Sequence, residues 1–321
     1  MLAFGRRVLA ALVFSALTLS LISCAKSPEQ SSGQLAYYTF TDDAGRRVSL
    51  RKKPEKVAVL FSSYAEIWQL AGGEVAVTVG ESIERGIASE GTPLVDAGAG
   101  KSIDAELLLS YAPDFVLCSA DLSGQMEAAA VLEDAGVPAS AFHVESFEDY
   151  LRMLKICTDI LEQPSAYETY GLQVRAEIGR VLEEAQAQKA SQGGKKILFI
   201  RAGSSYNATK AKTPENNFVC QMLSELGAQN IAEQADILLE ELSLEEILLQ
   251  NPDYIFISTM GSEGAAKEYM QSLFAAPGWQ ELDAVRNGAY AFLPKELFHF
   301  KPNARWAEAY AYLAELLYFG Q

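Results

Sequence analysis

PSAYETYGLQVRAEIGRVLEEAQAQKASQ, residues Pro164 to Gln192, sits near the middle of the 321-residue chain and reads as one long helix. Pro164 suits a first helical position, and Gly193-Gly194 stop the pattern. Tyr167, Tyr170, Val174, Ile178, Val181, Leu182 and Ala185 recur at steps of three and four, while Glu168, Arg175, Glu177, Arg180, Glu183 and Glu184 cover the other face. At 1.5 Å per residue the helix would run about 40 Å, enough to cross a domain. An ordinary surface helix carries such a stripe, and so does a rigid spine between two lobes. The flanking segments decide.

On the amino-terminal side, Tyr37–Phe40 and Arg47–Leu50 flank Asp42-Asp43-Ala44-Gly45 as a β-hairpin. Lys56–Leu60 reads as a buried strand, followed by a loop Phe61-Ser62-Ser63-Tyr64, a helix to Gly72-Gly73 and a strand Val75–Gly80. A helix capped by Asp104 and ended before Pro113, a strand Phe115–Cys118, a helix Gln125–Ala135, a short strand ending near Val144 and a helix Phe147–Leu161 follow. Beyond the spine the alternation resumes with strands at Lys196–Ile200, Asp253–Ile257 and Ala289–Leu293. Helices Asn217–Leu226, Leu242–Leu249 and Lys267–Phe274 separate them, and residues 303–319 close the chain as an amphipathic helix. Strand and helix alternating over short connections mark parallel α/β organisation. The halves also echo one another. A shift of 245 − 106 = 139 lays Ser102–Cys118 on Glu241–Ile257, matching Asp104 with Ser243, Glu106 with Glu245 and Pro113-Asp114 with Pro252-Asp253.

With 49% apolar residues each half can bury a core. Arg6-Arg7 and the apolar run Val8–Ile22 are too short to span a bilayer and read as a signal peptide over residues 1–23. The ending Leu21-Ile22-Ser23-Cys24 resembles the lipobox of bacterial lipoproteins, which implies lipidation at Cys24 and an extracytoplasmic protein held on the cell membrane. Residues 24–35 form a polar tether. Removing residues 1–23 changes the formal charge from −16 to 24 − 42 = −18, which argues against nucleic-acid binding. Cys118, Cys157 and Cys220 are unspaced for a disulfide framework or a zinc site and sit among apolar neighbours.

Four blocks carry a resemblance: Asp43-Ala44-Gly45-Arg46-Arg47-Val48 with Pro54-Glu55-Lys56-Val57, Glu106 to Val116, its echo Glu245 to Ile257, and Trp279 with Ala284-Val285-Arg286-Asn287-Gly288. In order and spacing the chain resembles the substrate-binding proteins of bacterial ABC importers for ferric siderophores, haem and vitamin B12, over about residues 36 to 320. The resemblance implies an α/β fold of the class III periplasmic-binding-protein type: an amino-terminal lobe (36–163), one long rigid helix (164–192) and a carboxy-terminal lobe (193–321), with the ligand cleft between lobes. It implies a monomer whose partners are an ABC permease with its ATPase subunits and a small metal chelate. It also implies docking to permease arginines through Glu106 and Glu245. Each lies near a capped helix start, where the helix dipole favours an anion. Ser243 with Glu246 has capping-box spacing, which an acid there can serve without a partner.

Open α/β sheets bind ligands at the carboxyl ends of their strands. That rule nominates Ser62, Ser63, Tyr64 and Ser119 to Leu122 in the first lobe. In the second it nominates Arg201 to Tyr206, including Ser204 and Ser205, then Met260-Gly261-Ser262 and Glu296 to Asn303. Arg201, Arg305, Lys210, Lys212, Lys295 and Lys301 stand out in so acidic a chain; converging, they would suit an anionic chelate or haem propionates. His299, between Phe298 and Phe300, is a candidate axial haem ligand or a packed ring, Tyr64 and Tyr206 are candidates for iron or for stacking, and His143 reads as structural. No His pair has metal-ligand spacing, so no resident cofactor or directly bound metal is expected. A two-lobed α/β enzyme is the competing class. The chain has no phosphate-cradling glycine loop, and Arg201-Ala202-Gly203-Ser204-Ser205 is not a nucleophile elbow. An adhesive surface lipoprotein would call for repeats or a large exposed apolar surface, and the sequence points to neither. The reading is a solute receptor for a chelated iron compound or corrinoid, with ferric siderophore placed first as the broadest substrate class of the family.

Overall fold

The computed structural model describes residues 36–96, 100 and 102–320; the leader 1–23, Cys24 and the tether lie outside the described residues. Strands β1 (Tyr38–Thr41) and β2 (Arg47–Leu50) pair antiparallel around a turn with Gly45 in the left-handed region. Asp42 fixes this hairpin. Its buried carboxylate accepts from the backbone N–H groups of Ala44, Arg46 and Ala141 and from the Arg46 guanidinium. Burying a carboxylate is tolerable only with partners of this kind.

Chain order then alternates β3 (Val57–Val59), α1 (Ser62–Leu70), β4 (Val75–Val77), α2 (Gly80–Glu84), α3 (Ala105–Ser110), β5 (Phe115–Ser119), α4 (Ser123–Asp134) and β6 (Ala139–Phe142). The four strands form one parallel sheet in the order β4-β3-β5-β6. Helices on both faces leave β3, β5 and β6 with no exposed residue, which is why these strands read as continuous apolar runs. Helix α5 (Phe147–Leu161), opened by a full Ser146/Asp149 capping box, leads into the spine.

The spine, α6, comprises Pro164–Tyr167, a π-helical turn at Glu168–Leu172 and Gln173–Gln192. Helical dihedrals at Tyr167 and Leu172 keep it continuous through the π turn. Val174, Ile178 and Ala185 are buried on the stripe, and Tyr167, Tyr170, Val181 and Leu182 pack beside them. Gly171 marks the approach of α5: a Cβ there would lie 2.8 Å from Leu151 Cδ2.

Beyond the spine come β7 (Lys196–Ala202), β8 (Lys210–Ala211), α7 (Phe218–Glu225), β9 (Gln229–Asn230), α8 (Leu244–Gln250), β10 (Tyr254–Thr259), α9 (Glu263–Phe274), β11 (Tyr290–Phe292), α10 (Lys295–Phe298) and α11 (Trp306–Ala314). Strand β7 lies parallel to β10 and β9 and antiparallel to β8, and β11 extends β10. The closing helix α11 returns to the spine, where Trp306 packs edge-on to Phe147 and to Phe218 at 6.1 and 5.6 Å. One apolar cluster therefore joins both lobes and the spine.

The echo is physical. Helix α3 begins at 105 and β5 at 115; α8 begins at 244 and β10 at 254, each 139 later. Ala112 and Asn251, also 139 apart, are both left-handed, with φ of 47° and 42°. The Pro-Asp that follows has one job in each half. Asp114 accepts from Lys56 N at 2.9 Å, and Asp253 accepts from Lys196 N at 2.7 Å, so each carboxylate clamps the chain entering the neighbouring strand. The capping box expected at α8 is only half made: Ser243 Oγ accepts from Glu246 N, but Glu246 Oε1 accepts from Gln250 instead. Asn tolerates the left-handed region better than Ala. Ala112→Asn is expected to raise unfolding stability by about 0.5–1 kcal/mol in urea melts, whereas Asn251→Ala is expected to lower it.

Candidate ligand-binding cleft

In both lobes the parallel strands end at one cavity of about 280 Å³. The first lobe contributes Phe61 and Tyr64 after β3, Ser119 at the end of β5 with Asp121 and Leu122 beyond it, and Glu145 after β6; the second contributes Arg201, Ser258, Asn216, Asn217, Phe218, Phe298, His299 and Lys301. A larger groove, about 500 Å³, runs beneath the opposite, amino ends of β5 and β6 against β2. It is walled by one lobe only, and its acids are engaged: Asp114 by backbone N–H groups and Glu133 by Arg46. The inter-lobe cavity is the stronger candidate because it combines both lobes, strand carboxyl ends and uncompensated charge.

That charge has a specific placement. Arg201 and Lys210 are register partners on β7 and β8, so their side chains share one sheet face. Lys212, two residues on from Lys210, falls on that face as well. Among the described residues none of the three has an ion-pair or hydrogen-bond partner for its cationic group. Burial, and then the like charges of Arg201 and Lys210, hold the Lys212 ammonium below its usual pKa. The acids of the cavity have partners by contrast. Glu145 Oε1 accepts from Lys301 Nζ at 2.7 Å, and Asp121 Oδ1 lies 2.6 Å from His143 Nδ1. Lys301 is mostly buried, its pKa lowered by burial, and its ammonium stands 4.7 Å over the Phe218 ring. Of the cations expected to converge, Arg201 and Lys301 line the cavity, and Lys210 and Lys212 lie beside Arg201 on its sheet face, outside the lining.

His299 lines the cavity with its ring edge-on to Phe300. Burial first, then Lys295, Arg201 and Arg85, push its pKa down to about 4, so the imidazole is neutral at physiological pH. No ring nitrogen of His299 has a hydrogen-bond partner among the described residues. No three His, Cys, Asp or Glu side chains converge on a bare metal site among the described residues.

Most of the other nominated residues lie elsewhere. Ser62 and Ser63 are not loop residues; α1 begins at Ser62, both are buried, and their hydroxyls bond Arg85 and, from Ser62, also Glu81. Phe61 takes their place at the cavity. Tyr64 contributes ring surface, but its hydroxyl donates to Phe142 O at 2.9 Å and burial raises its pKa, so it is not a free iron ligand. Ser204, Ser205, Tyr206 and Met260 lie on the exposed lip outside the cavity lining, and Tyr206 donates to Glu241. Arg305 is exposed and paired in a fork with Glu308, and Lys295 donates to Gly261 O, so neither joins the cation set. Sequence reasoning passed over Glu145, Asn216, Asn217 and Phe218. Glu145 follows β6 at a strand carboxyl end and was open to the same rule, whereas the pair of asparagines and Phe218 follow the two-residue β8, which leaves no periodic signal.

Glu106 and Glu245 are exposed in the first turns of α3 and α8, whose N-caps are Asp104 and Ser243.

The depressed pKa of His299 has a sign. The unfolded imidazole takes up its proton near pH 6.5 and the folded one only near pH 4, so the unfolded state binds more protons between them. The His299 contribution to stability is present above pH 6.5 and lost as pH falls toward 4. Urea midpoints measured from pH 7 to 4 are expected to fall less steeply in His299→Phe than in the parent chain.

Residues 57–297 match the family described as periplasmic binding protein. No protein with a curated description matches the chain. Among solved structures, the periplasmic heme-binding protein RhuT from Roseiflexus sp. RS-1 in apo form is 22% identical with a TM-score of 0.66, over 82% of this chain and 98% of that one. Staphylococcus aureus SirA complexed with staphyloferrin B is 16% identical with a TM-score of 0.65, over 87% and 96%. A periplasmic heme binding protein from Pseudomonas aeruginosa is 22% identical with a TM-score of 0.66, over 83% and 93%. At these identities the structures speak for a common fold. The match over residues 57–297, on two α/β lobes with a cleft at their strand ends, places the chain in the periplasmic binding protein family, as an extracytoplasmic substrate-binding protein rather than an enzyme.

Proposed function

We propose that the protein captures an anionic iron chelate, ferric siderophore first, and delivers it to an ABC permease while lipid on Cys24 holds it at the membrane surface. The carrying observation is a group of uncompensated cations on the second lobe of a chain with net charge −16: Arg201 lines the cavity, and Lys210 and Lys212 stand beside it on the same sheet face. A compensating ligand would relieve their mutual repulsion and exchange water for charge-assisted hydrogen bonds. At about 280 Å³ the cavity is at the small end of ligand pockets. A chelate would therefore extend from it toward the exposed lip at Tyr206 and Met260.

Haem is the second reading, because a neutral, unpartnered His299 imidazole faces the same cavity and the cations suit propionates. Binding in either case is non-covalent, and Trp306, packed on the cavity residue Phe218, would report it. Fluorescence titrations with ferric citrate, ferrioxamine, haemin and cobalamin separate the readings. Siderophore capture predicts saturable quenching by an anionic ferric chelate that weakens about tenfold or more in Arg201→Ala. Haem predicts a Soret band that survives dilution and disappears in His299→Ala. No response to any of the four would end the proposal for this cleft. For delivery, the paired variant Glu106→Ala/Glu245→Ala is expected to abolish uptake in cells with ligand affinity unchanged; undiminished uptake would remove these residues from docking.

A further inference from the structure

The guanidinium of Arg85 is mostly buried in the first lobe, and a receptor cleft has no evident need of it. It sits at the end of α2, 14% exposed, donating from Nη1 to Ser62 Oγ at 2.9 Å and Ser63 Oγ at 3.2 Å and from Nη2 to Glu66 Oε2 at 3.1 Å. Its remaining face lies 4.2 Å from the centre of the Phe300 ring, which belongs to the second lobe. Three residues later the chain returns to the same carboxylate. Asn303 is fully buried and left-handed, with φ of 53°, and its Nδ2 donates to Ser63 O at 3.0 Å and Glu66 Oε2 at 2.8 Å. Both partners are acceptors, so this orientation of the amide is required. The backbone N–H of Lys301 completes the contact, donating to Ser63 Oγ at 3.4 Å.

The segment clamped in this way is His299–Asn303, which carries two cavity residues, His299 and Lys301. We infer that Arg85 and Asn303 are positioning residues: through Glu66 and Ser63 they tie the floor of the cleft to the first lobe, so that His299 and Lys301 meet a ligand already in place. This rests on the reading of the cavity as the ligand site. It also explains why the serines expected to touch ligand are buried instead, since their hydroxyls hold the guanidinium. A fork with four engagements is the property of arginine; a lysine ammonium keeps the charge but cannot bond both serines and Glu66 while stacking on Phe300. Pre-ordering a binding segment removes entropy that binding would otherwise have to supply.

The test is amide hydrogen exchange on the full chain without ligand, followed by titration with ferric citrate and with haemin, in Arg85→Met, Arg85→Lys and Phe300→Leu. Exchange at His299–Asn303 is expected to accelerate in all three, with β3, β5, β7 and β10 protected as in the parent chain. Affinity for whichever probe the parent chain binds is expected to fall about tenfold in Arg85→Met and to remain low in Arg85→Lys. Phe300→Leu, which leaves the polar network whole, covers the case in which an arginine variant does not fold. Unchanged exchange at His299–Asn303, acceleration spread evenly over both sheets, or full affinity in Arg85→Lys would each overturn the inference. If the parent chain binds neither probe, the ligand reading of the cavity fails for these chelates, while the exchange data still decide whether Arg85 clamps the segment.

Discussion

An ammonium buried between two lobes must find an anion, and the pairing of Lys301 with Glu145 is the constraint on which the cleft depends. Lys301 comes from the chain after the second sheet and Glu145 from the end of β6 in the first, 2.7 Å apart. Removing Glu145 would leave the mostly buried ammonium without its anion, the costlier side of the pair to break, since the Glu145 side chain is 36% exposed. The pair therefore holds the strand ends of both lobes around one space. Arg85, Glu66 and Asn303 reinforce the same junction from below, and Trp306 fills the apolar layer between Phe147 and Phe218. With the continuous helix α6 as the covalent link, the lobes meet through a spine and a buried polar seam, an arrangement suited to small adjustments and not to wide hinge closure.

Charge is distributed across this junction with a clear asymmetry. At the cavity Glu145 is paired with Lys301 and Asp121 is hydrogen-bonded to His143, while Arg201 in the lining, with Lys210 and Lys212 beside it on the second lobe, has no anionic partner among the described residues. In a chain this acidic, a cationic wall focuses the local field against the sign of the whole surface. A ligand entering there would orient, with its anionic pole on the second lobe and its body against Phe61, the Tyr64 ring and Phe218.

Much of the architecture was legible because repeated physical needs leave repeated letters. The spine announced itself through its apolar stripe, and the two halves through Pro-Asp, which in each lobe clamps the start of a neighbouring strand. Even the left-handed residue before that proline recurs, as Ala112 and Asn251. What stayed hidden lacked a local signal. Helix α1 starts at Ser62 after an N-cap, Phe61, that makes no side-chain cap, so the serines read as loop. Strands β8 and β9 are two residues each, too short for alternation. Arg85 looks like a solvated charge in sequence, and only the fold surrounds it with Ser62, Ser63, Glu66 and Phe300. Arg305 shows the converse: a cation near the right loop whose carboxylate partner, Glu308, lies one helical turn away.

The central claim is that ligand is held between the lobes at the strand carboxyl ends. Hydrogen-exchange difference mapping, with and without the chelate that binds most tightly among ferric citrate, ferrioxamine, haemin and cobalamin, tests it most directly. The account predicts new protection at Phe61–Tyr64, Ser119–Leu122, Arg201, Asn216–Phe218 and Phe298–Lys301 together, in both lobes. Protection confined to one lobe, or centred on the groove beneath β2 at Arg47–Pro54, would contradict it.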